Sequence, residues 1–320
     1  MGIVAKTNDV VARLEAASDF QLISIGEGSL FLEVMIYGGA LRDLRPFLIL
    51  HSLEYPMPPS EAFCAYMAEA GYQVIFVRRN GFGASTPLHT ALYDEYMIQK
   101  GSTAGVEAIM IRRLIEQLDL RDFVLMVLGS ANPMGYRLTS ICPRIRKTLL
   151  INPMLNEIVW TALSPDWFRN MMKEVVKNRS GMWLAYRSLR LLIQRDPVGF
   201  YKKLFHASPG DLQYVEDNAA AYEAAGGYLM NLDSLIFYAE ANINLSADPM
   251  LSDDAFASLN VTVCAGADSS QNWRDSMHAE ARRLGAPFRI VPMSDLCCGY
   301  SSPEFLVHHL AQAHSVYEPD

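Results

Sequence analysis

Seven histidines and five cysteines carry much of the acid–base, nucleophilic and metal-binding potential of this 320-residue chain. The cysteines (Cys64, Cys142, Cys264, Cys297 and Cys298) are odd in number and scattered. They fit neither a disulfide framework nor the paired C-x-x-C spacing of a zinc site. Adjacent Cys297 and Cys298 read as small packing residues rather than a redox pair. The histidines are no better grouped. His51 ends an apolar run, His278 falls in a helical pattern, and His89 and His206 have no motif around them. His308 and His309 follow Pro303 on a final helix, where His309 shares a stripe with Phe305, while His308 and His314 read as solvated. Neither a metal nor a cofactor is expected from this set.

The elements that would have to position any chemistry alternate in type. Short apolar β-type runs cover 21–25, 30–36, 47–51, 73–77, 123–128, 148–152, 261–265 and 288–292. The middle runs, FLIL, VIFV, VLMVL and TLLI, are apolar throughout, as strands buried on both faces should be. Helical patterns separate them, which predicts an α/β fold with a mostly parallel sheet of eight strands. Ser60 is placed to cap a helix over 61–70, with Gly71 where its C-terminus needs a left-handed residue. Further helices are expected over 103–118, 271–284 and, after Ser302-Pro303, over 303–316. Between 153 and 255 the strand signal disappears. That stretch reads as a helical cap with helices at 167–177, 181–195, 197–206, 211–225 and 228–242, holding Trp160, Trp167 and Trp183. The expected organisation is an N-terminal helical segment over 1–20, a core formed by 21–152 and 256–320, and the cap over 153–255.

About half of the residues are apolar, and the net charge is −8 with a pI near 5.4. No basic footprint is present, so nucleic acid is not an expected partner. No run of about 18 apolar residues exists to span a bilayer, and no membrane partner is expected. The N-terminal residues show no signal-type pattern, and the chain reads as cytoplasmic.

In this order and with these motifs the chain resembles the α/β-hydrolase superfamily. FLILHSLEYPMPPSEAFCAYMAEAGYQVIFVRRNGFGAST looks like that family's third strand, oxyanion loop, first helix and fourth strand. Asn80-Gly81-Phe82-Gly83-Ala84-Ser85 matches its glycine turn, and DFVLMVLGSANPMGYRLT looks like its fifth strand and nucleophile elbow. VTVCAGADSS is similar to the seventh strand and the loop that often carries the acid. The cap, with its LRLLIQRDP run and SPGD turn, is also similar to hydrolase-like sensor domains attached to signalling modules.

The resemblance implies a serine, a histidine and an acid, and two of these are missing. In the elbow, Gly129-Ser130-Ala131-Asn132-Pro133-Met134-Gly135, the nucleophile slot falls on Ala131 when counted from Gly129 and on Asn132 when counted from Gly135. Pro133 has no N–H to stabilise an oxyanion and should push Asn132 toward extended angles. Ser130 is the only nearby hydroxyl. It would serve as an alternative nucleophile if the turn were re-registered, and reads otherwise as a cap of the following helix. The loop after the eighth strand, MSDLCCGYSS, holds no histidine. Asp268 matches the acid position but reads as a turn or helix cap before 271–284. Arg78 and Arg79 would hold an anionic ligand if they faced the cleft, or pair with acids if they did not. The expected function is a catalytically impaired hydrolase-like protein. It would bind a small, mostly apolar ligand or a protein partner beneath its cap, with His51, Ser52, Tyr55, Ser130, Ala131, Asn132 and Trp160 lining the site. An active hydrolase built on Ser130 with an unconventional base, acting on an ester, thioester or lactone, and a structural homodimer formed by the cap helices, are the alternatives.

Overall fold

The computed structural model describes residues 20–25, 30–37, 44–87, 103–153, 166–232, 236 and 260–312. Among the described residues eight strands run in chain order: β1 (Gln21–Ser24), β2 (Phe31–Ile36), β3 (Arg45–Leu50), β4 (Tyr72–Arg78), β5 (Phe123–Leu128), β6 (Ile145–Ile151), β7 (Val261–Gly266) and β8 (Phe288–Val291). They form one sheet in the order β1-β2-β4-β3-β5-β6-β7-β8. The β1–β2 and β2–β4 pairs are antiparallel and the rest are parallel. Every residue of β4, β5 and β7 is buried, as their unbroken apolar runs require of strands covered on both faces.

Two apolar cores flank the sheet. On one face pack α2 (Thr103–Gln117), α3 (Asn132–Ile141) and α9 (Gln271–Arg283), through residues such as Met110, Leu114, Met134 and Met277. On the other lie α1 (Glu61–Glu69) and α10 (Pro303–Gln312), through Phe63, Met67, Leu306 and Leu310. That second core also takes in Ile193, Tyr201, Phe205, Val215, Tyr222 and Leu229 from the helices between β6 and β7. Those helices are α4 (Asp166–Lys177), α5 (Arg179–Arg195), α6 (Pro197–Leu204), α7 (Pro209–Asp217) and α8 (Ala219–Asn231). Of these, α5 to α8 share that core with the sheet, and no described residue of α4 belongs to it.

Local chemistry explains the boundaries. Ser60 accepts the Phe63 N–H to start α1, and Gly71 (φ +88°) ends it, as expected. The chain differs from the sequence reading over 211–225 and 228–242. Ser208 accepts the Asp211 N–H and Pro209 occupies the first turn, so α7 begins before Asp211. Asn218 (φ −119°, ψ 29°) then interrupts the helix, and α8 runs through Tyr228 without a break. A mid-run asparagine competes for the backbone, and the apolar periodicity alone did not register it. Ser270, not Asp268, caps α9 by accepting the Trp273 N–H. The 1–20 segment, apart from residue 20, lies outside the described residues, as do most of 228–242 beyond 232, Trp160, His89 and His314.

Candidate functional site

The centre of the molecule is the carboxyl end of β5, where the chain must turn sharply from strand to helix. Gly129 makes that turn with φ +46°, followed by a short 3-10 turn over Gly129–Ala131. A left-handed φ is disfavoured for any residue with a Cβ, so the bend falls on the one residue without a side chain. Ala131 (φ −75°) and Asn132 (φ −59°) are both right-handed helical, so neither is the apex that counting along the motif suggested. Asn132 is not pushed to extended angles either. Pro133 lies in the first turn of α3, where a missing N–H costs nothing, and the preceding 3-10 turn has already set Asn132 in helical geometry. Close approach of α3 to the sheet explains Gly135, since a Cβ there would come within 2.7 Å of Val127 Cγ1.

Ser130 follows the apex and is buried, as are His51, Ser52, Ala131 and Asn132. Its Oγ accepts the Leu53 N–H at 2.7 Å and lies 3.3 Å from Ser52 Oγ. The Ser130 N–H in turn donates to Ser52 Oγ at 3.3 Å, and the Ser52 hydroxyl donates to Glu54. Two backbone N–H groups that converge at the turn are thus satisfied by hydroxyls of the protein itself. Ser130 does not cap α3; Ala131 is the N-cap residue and makes no side-chain cap. Asn132 Nδ2 donates to Gly129 O (2.7 Å) and Ile151 O (3.2 Å), tying the turn to β6.

His51 is committed to the backbone. Its Nε2 accepts the Arg79 N–H at 3.0 Å, which leaves Nδ1 as the protonated nitrogen, donating to Ser52 O at 2.8 Å. Full burial, with the Arg79 cation nearby, holds the ring well below the ordinary histidine range. A neutral imidazole with both nitrogens occupied shapes the loop and takes no proton from a serine. Arg79 itself makes a forked pair with Glu107 of α2, Nε to Oε1 at 3.1 Å and Nη2 to Oε2 at 2.9 Å, both side chains almost fully buried. Arg78 pairs with Glu33 at 2.9 Å and is stacked against the rings of Phe20 (3.7 Å) and Tyr228 (4.0 Å). Both arginines therefore belong to the architecture and not to an anion site, because each has a carboxylate from a neighbouring element within reach.

The loop 293–302, after β8, is held by an acid that sequence reasoning passed over. Asp211 of α7 is fully buried and accepts four hydrogen bonds. These come from the Asp295 and Cys297 N–H groups at 3.0 Å each, Ser294 Oγ at 3.0 Å and Ser301 Oγ at 3.3 Å. Burial raises its carboxyl above the usual range even though these donors pull it back. The SPGD turn was the available signal, a capped helix start that carries a carboxylate into the core. Asp268 takes the Ser208 hydroxyl at 2.7 Å and its N–H binds Ser294 O, so it too joins the insertion to this loop.

Aromatic rings fill the space beside that loop. Tyr55, Tyr201, Phe205, Tyr222 and Tyr300 are all buried, with neighbouring ring centroids 4.8–6.1 Å apart. Each hydroxyl has a partner, such as Leu296 O for Tyr55 (3.0 Å) and Glu54 O for Tyr201 (2.7 Å). All five cysteines are buried free thiols, and burial raises Cys297 and Cys298 well above the ordinary thiol range, which makes them poor nucleophiles. Among the described residues no three metal-ligating side chains gather as a cation site would.

Among the described residues His309 is the other buried imidazole, with Lys147 Nζ and Thr262 Oγ1 each 3.3 Å from its Nε2. Burial and the Lys147 and Arg289 charges lower it to about 4. A histidine depressed in the fold binds its proton more readily when unfolded, so its contribution to stability is full above pH ~6.5 and is lost as pH falls toward 4. Linkage over that window gives a loss of about 2 kcal/mol between pH 7 and pH 5. His309→Gln should flatten the pH dependence of urea unfolding by about that amount. The raised acids Asp211 and Asp295 oppose the trend but are common to both proteins. Equal slopes would place His309 in solvent.

No protein-family model matches the sequence, and no curated protein matches it. Solved structures do. A bromoperoxidase from Bacillus anthracis superposes with a TM-score of 0.58 at 16% identity, covering 92% of this chain and 98% of that one. An alpha/beta hydrolase fold protein from Nakamurella multipartita gives 0.54 at 16% identity, with 92% and 98% covered. An enol-lactonase from Burkholderia xenovorans gives 0.59 at 13%, with 91% and 98% covered. The likeness establishes the fold: this chain has the α/β-hydrolase fold over nearly all its length.

Proposed function

We propose that this α/β-hydrolase-fold protein is catalytically impaired and acts by binding. One observation carries the reading: the left-handed apex of the β5 turn is Gly129, which has no side chain to attack a carbonyl. The rest is consistent with it. The N–H groups of Leu53 and Ser130 are taken up by serine hydroxyls, His51 has both ring nitrogens engaged, and loop 293–302 supplies aspartate and cysteine but no imidazole. The packed rings of Tyr201, Phe205 and Tyr222 favour a protein partner over a small apolar ligand as the occupant at the insertion. A chain of contacts from Ser130 Oγ through Ser52 Oγ to the Glu54 carboxylate supports a second reading, in which Ser130 is the nucleophile and Glu54 the base.

Incubation with a fluorophosphonate probe and a panel of short p-nitrophenyl esters separates the two. The expected result is no labelling, and turnover equal to buffer and to the Ser130→Ala variant. Stoichiometric labelling at Ser130, with turnover abolished by Ser130→Ala and by Glu54→Gln, would instead establish the hydrolase.

A further inference from the structure

The outer face of the insertion has a character unlike the rest of this acidic chain. No described side chain of α4 is buried, and Trp167 and Met171 are 67% and 45% exposed. Next to it, α5 buries Met182, Tyr186 and Ile193 but leaves Trp183, Leu184, Leu191 and Leu192 at 49–62% exposure. Large apolar side chains in this number on two adjacent helices exceed the scatter expected of a solvated surface. The charge on α5 is basic, while α4 mixes Asp166 and Glu174 with Arg169, Lys173 and Lys177. No residue of α5 is acidic, and Arg187, Arg190 and Arg195 have no carboxylate partner among the described residues. Two of these guanidinium groups lie over rings of their own helix, Arg187 at 5.2 Å from the Trp183 centroid and Arg190 at 5.7 Å from that of Tyr186. An open groove of about 590 Å³ lies among Trp183, Tyr186, Arg187, Arg190, Leu191 and Leu232.

We propose that α4 and α5 form a peripheral docking face for an anionic lipid surface. A symmetric dimer through this face would set the same unpaired arginines against one another, because a two-fold interface uses one patch twice. The occupant is therefore anionic, in keeping with cations displayed on a chain of net charge −8. Tryptophan and leucine interspersed with arginine, spread over two helices and not confined to one groove, match the needs of a bilayer interface: rings and methyls enter the headgroup boundary and guanidinium groups meet phosphates. No helix among the described residues is long and apolar enough to cross a membrane, so the contact is superficial. This departs from the expectation of no membrane contact, which rested on the lack of a spanning run. It is independent of whether the buried centre turns over, since an active hydrolase could be brought to a surface by the same face.

The test is cosedimentation of the full chain with vesicles of neutral phosphatidylcholine alone or with about a third phosphatidylglycerol, at low and high salt. Partitioning onto the anionic vesicles is expected to be roughly tenfold stronger or more than onto neutral ones, and to fall with salt. Arg187→Glu/Arg190→Glu should remove it, and Leu184→Ser/Leu191→Ser should weaken it by a similar factor. Circular dichroism of both variants checks that the fold survives, and these positions are exposed enough for that to be expected. Equal affinity for both vesicle types, or none for either, would overturn the proposal. So would light scattering that shows a dimer lost in Leu184→Ser/Leu191→Ser, or binding of a soluble acidic helical peptide while vesicles fail.

Discussion

Glu107→Ala is expected to destabilise the protein by about 3–5 kcal/mol, the scale on which removing one partner of a buried ion pair operates. Glu107 and Arg79 are 5% and 3% exposed at their side chains, so neither solvent nor salt screens the loss. The guanidinium would keep its 3.3 Å bond to His51 O but lose its carboxylate, and a buried cation would face a cavity on α2. Because the Arg79 N–H also binds His51 Nε2, the disturbance should spread into the loop that carries Ser52 and Leu53. Replacing both partners, as Arg79→Met with Glu107→Leu, should recover most of the stability, since two apolar side chains remove the charge along with its counter-ion. Urea unfolding of the two variants reads this directly. A single-variant loss under 1 kcal/mol would mean that water reaches the pair.

Asp211→Ala should cost about 3 kcal/mol, because two buried N–H groups and two serine hydroxyls lose their acceptor together. The loss is tempered by relief of a desolvated carboxylate, which is why it is not larger. Asp211→Asn keeps one oxygen but turns its amide toward donors, so an intermediate loss is expected. The pH dependence has a definite sign. A carboxyl raised in the fold favours folding most below its unfolded value, and that contribution disappears as pH rises through the folded pKa. Wild type minus Asp211→Ala should therefore shrink as pH increases from acid toward neutral. Thermal melts at several pH values check both points, and a constant difference would remove the buried carboxylate from the account.

How much of this was readable in advance depended on the kind of force involved. All eight strands were legible, the middle four because FLIL, VIFV, FVLMVL and TLLI are buried on both faces and burial leaves a compositional mark. The helix starts at Ser60 and at Ser302-Pro303 were legible too, whereas the one at Ser208-Pro209 was placed at Asp211. The apex at Gly129 was not, since motif counting assumes a serine at the bend, whereas a chain without a nucleophile is free to place the left-handed angle on glycine. The SPGD turn marked Asp211 only as part of a helix start and nothing marked Glu107, because what distinguishes them among the 35 acidic residues is three-dimensional proximity to donors on segments 28 to 90 positions away. Arg78 and Arg79 were visible as a pair, but their partners were not.

The sheet order also governs how the chain can be made. Strand β6 pairs with β7, yet about 110 residues of insertion separate Ile151 from Val261. At ordinary rates of synthesis some 5–20 s pass between the emergence of these two strands. Throughout that interval β6 lacks its β7 partner and presents an open edge containing TLLI. The nascent chain thus carries an unpaired β6 edge for about a third of its translation, an interval in which such an edge is open to association with other chains.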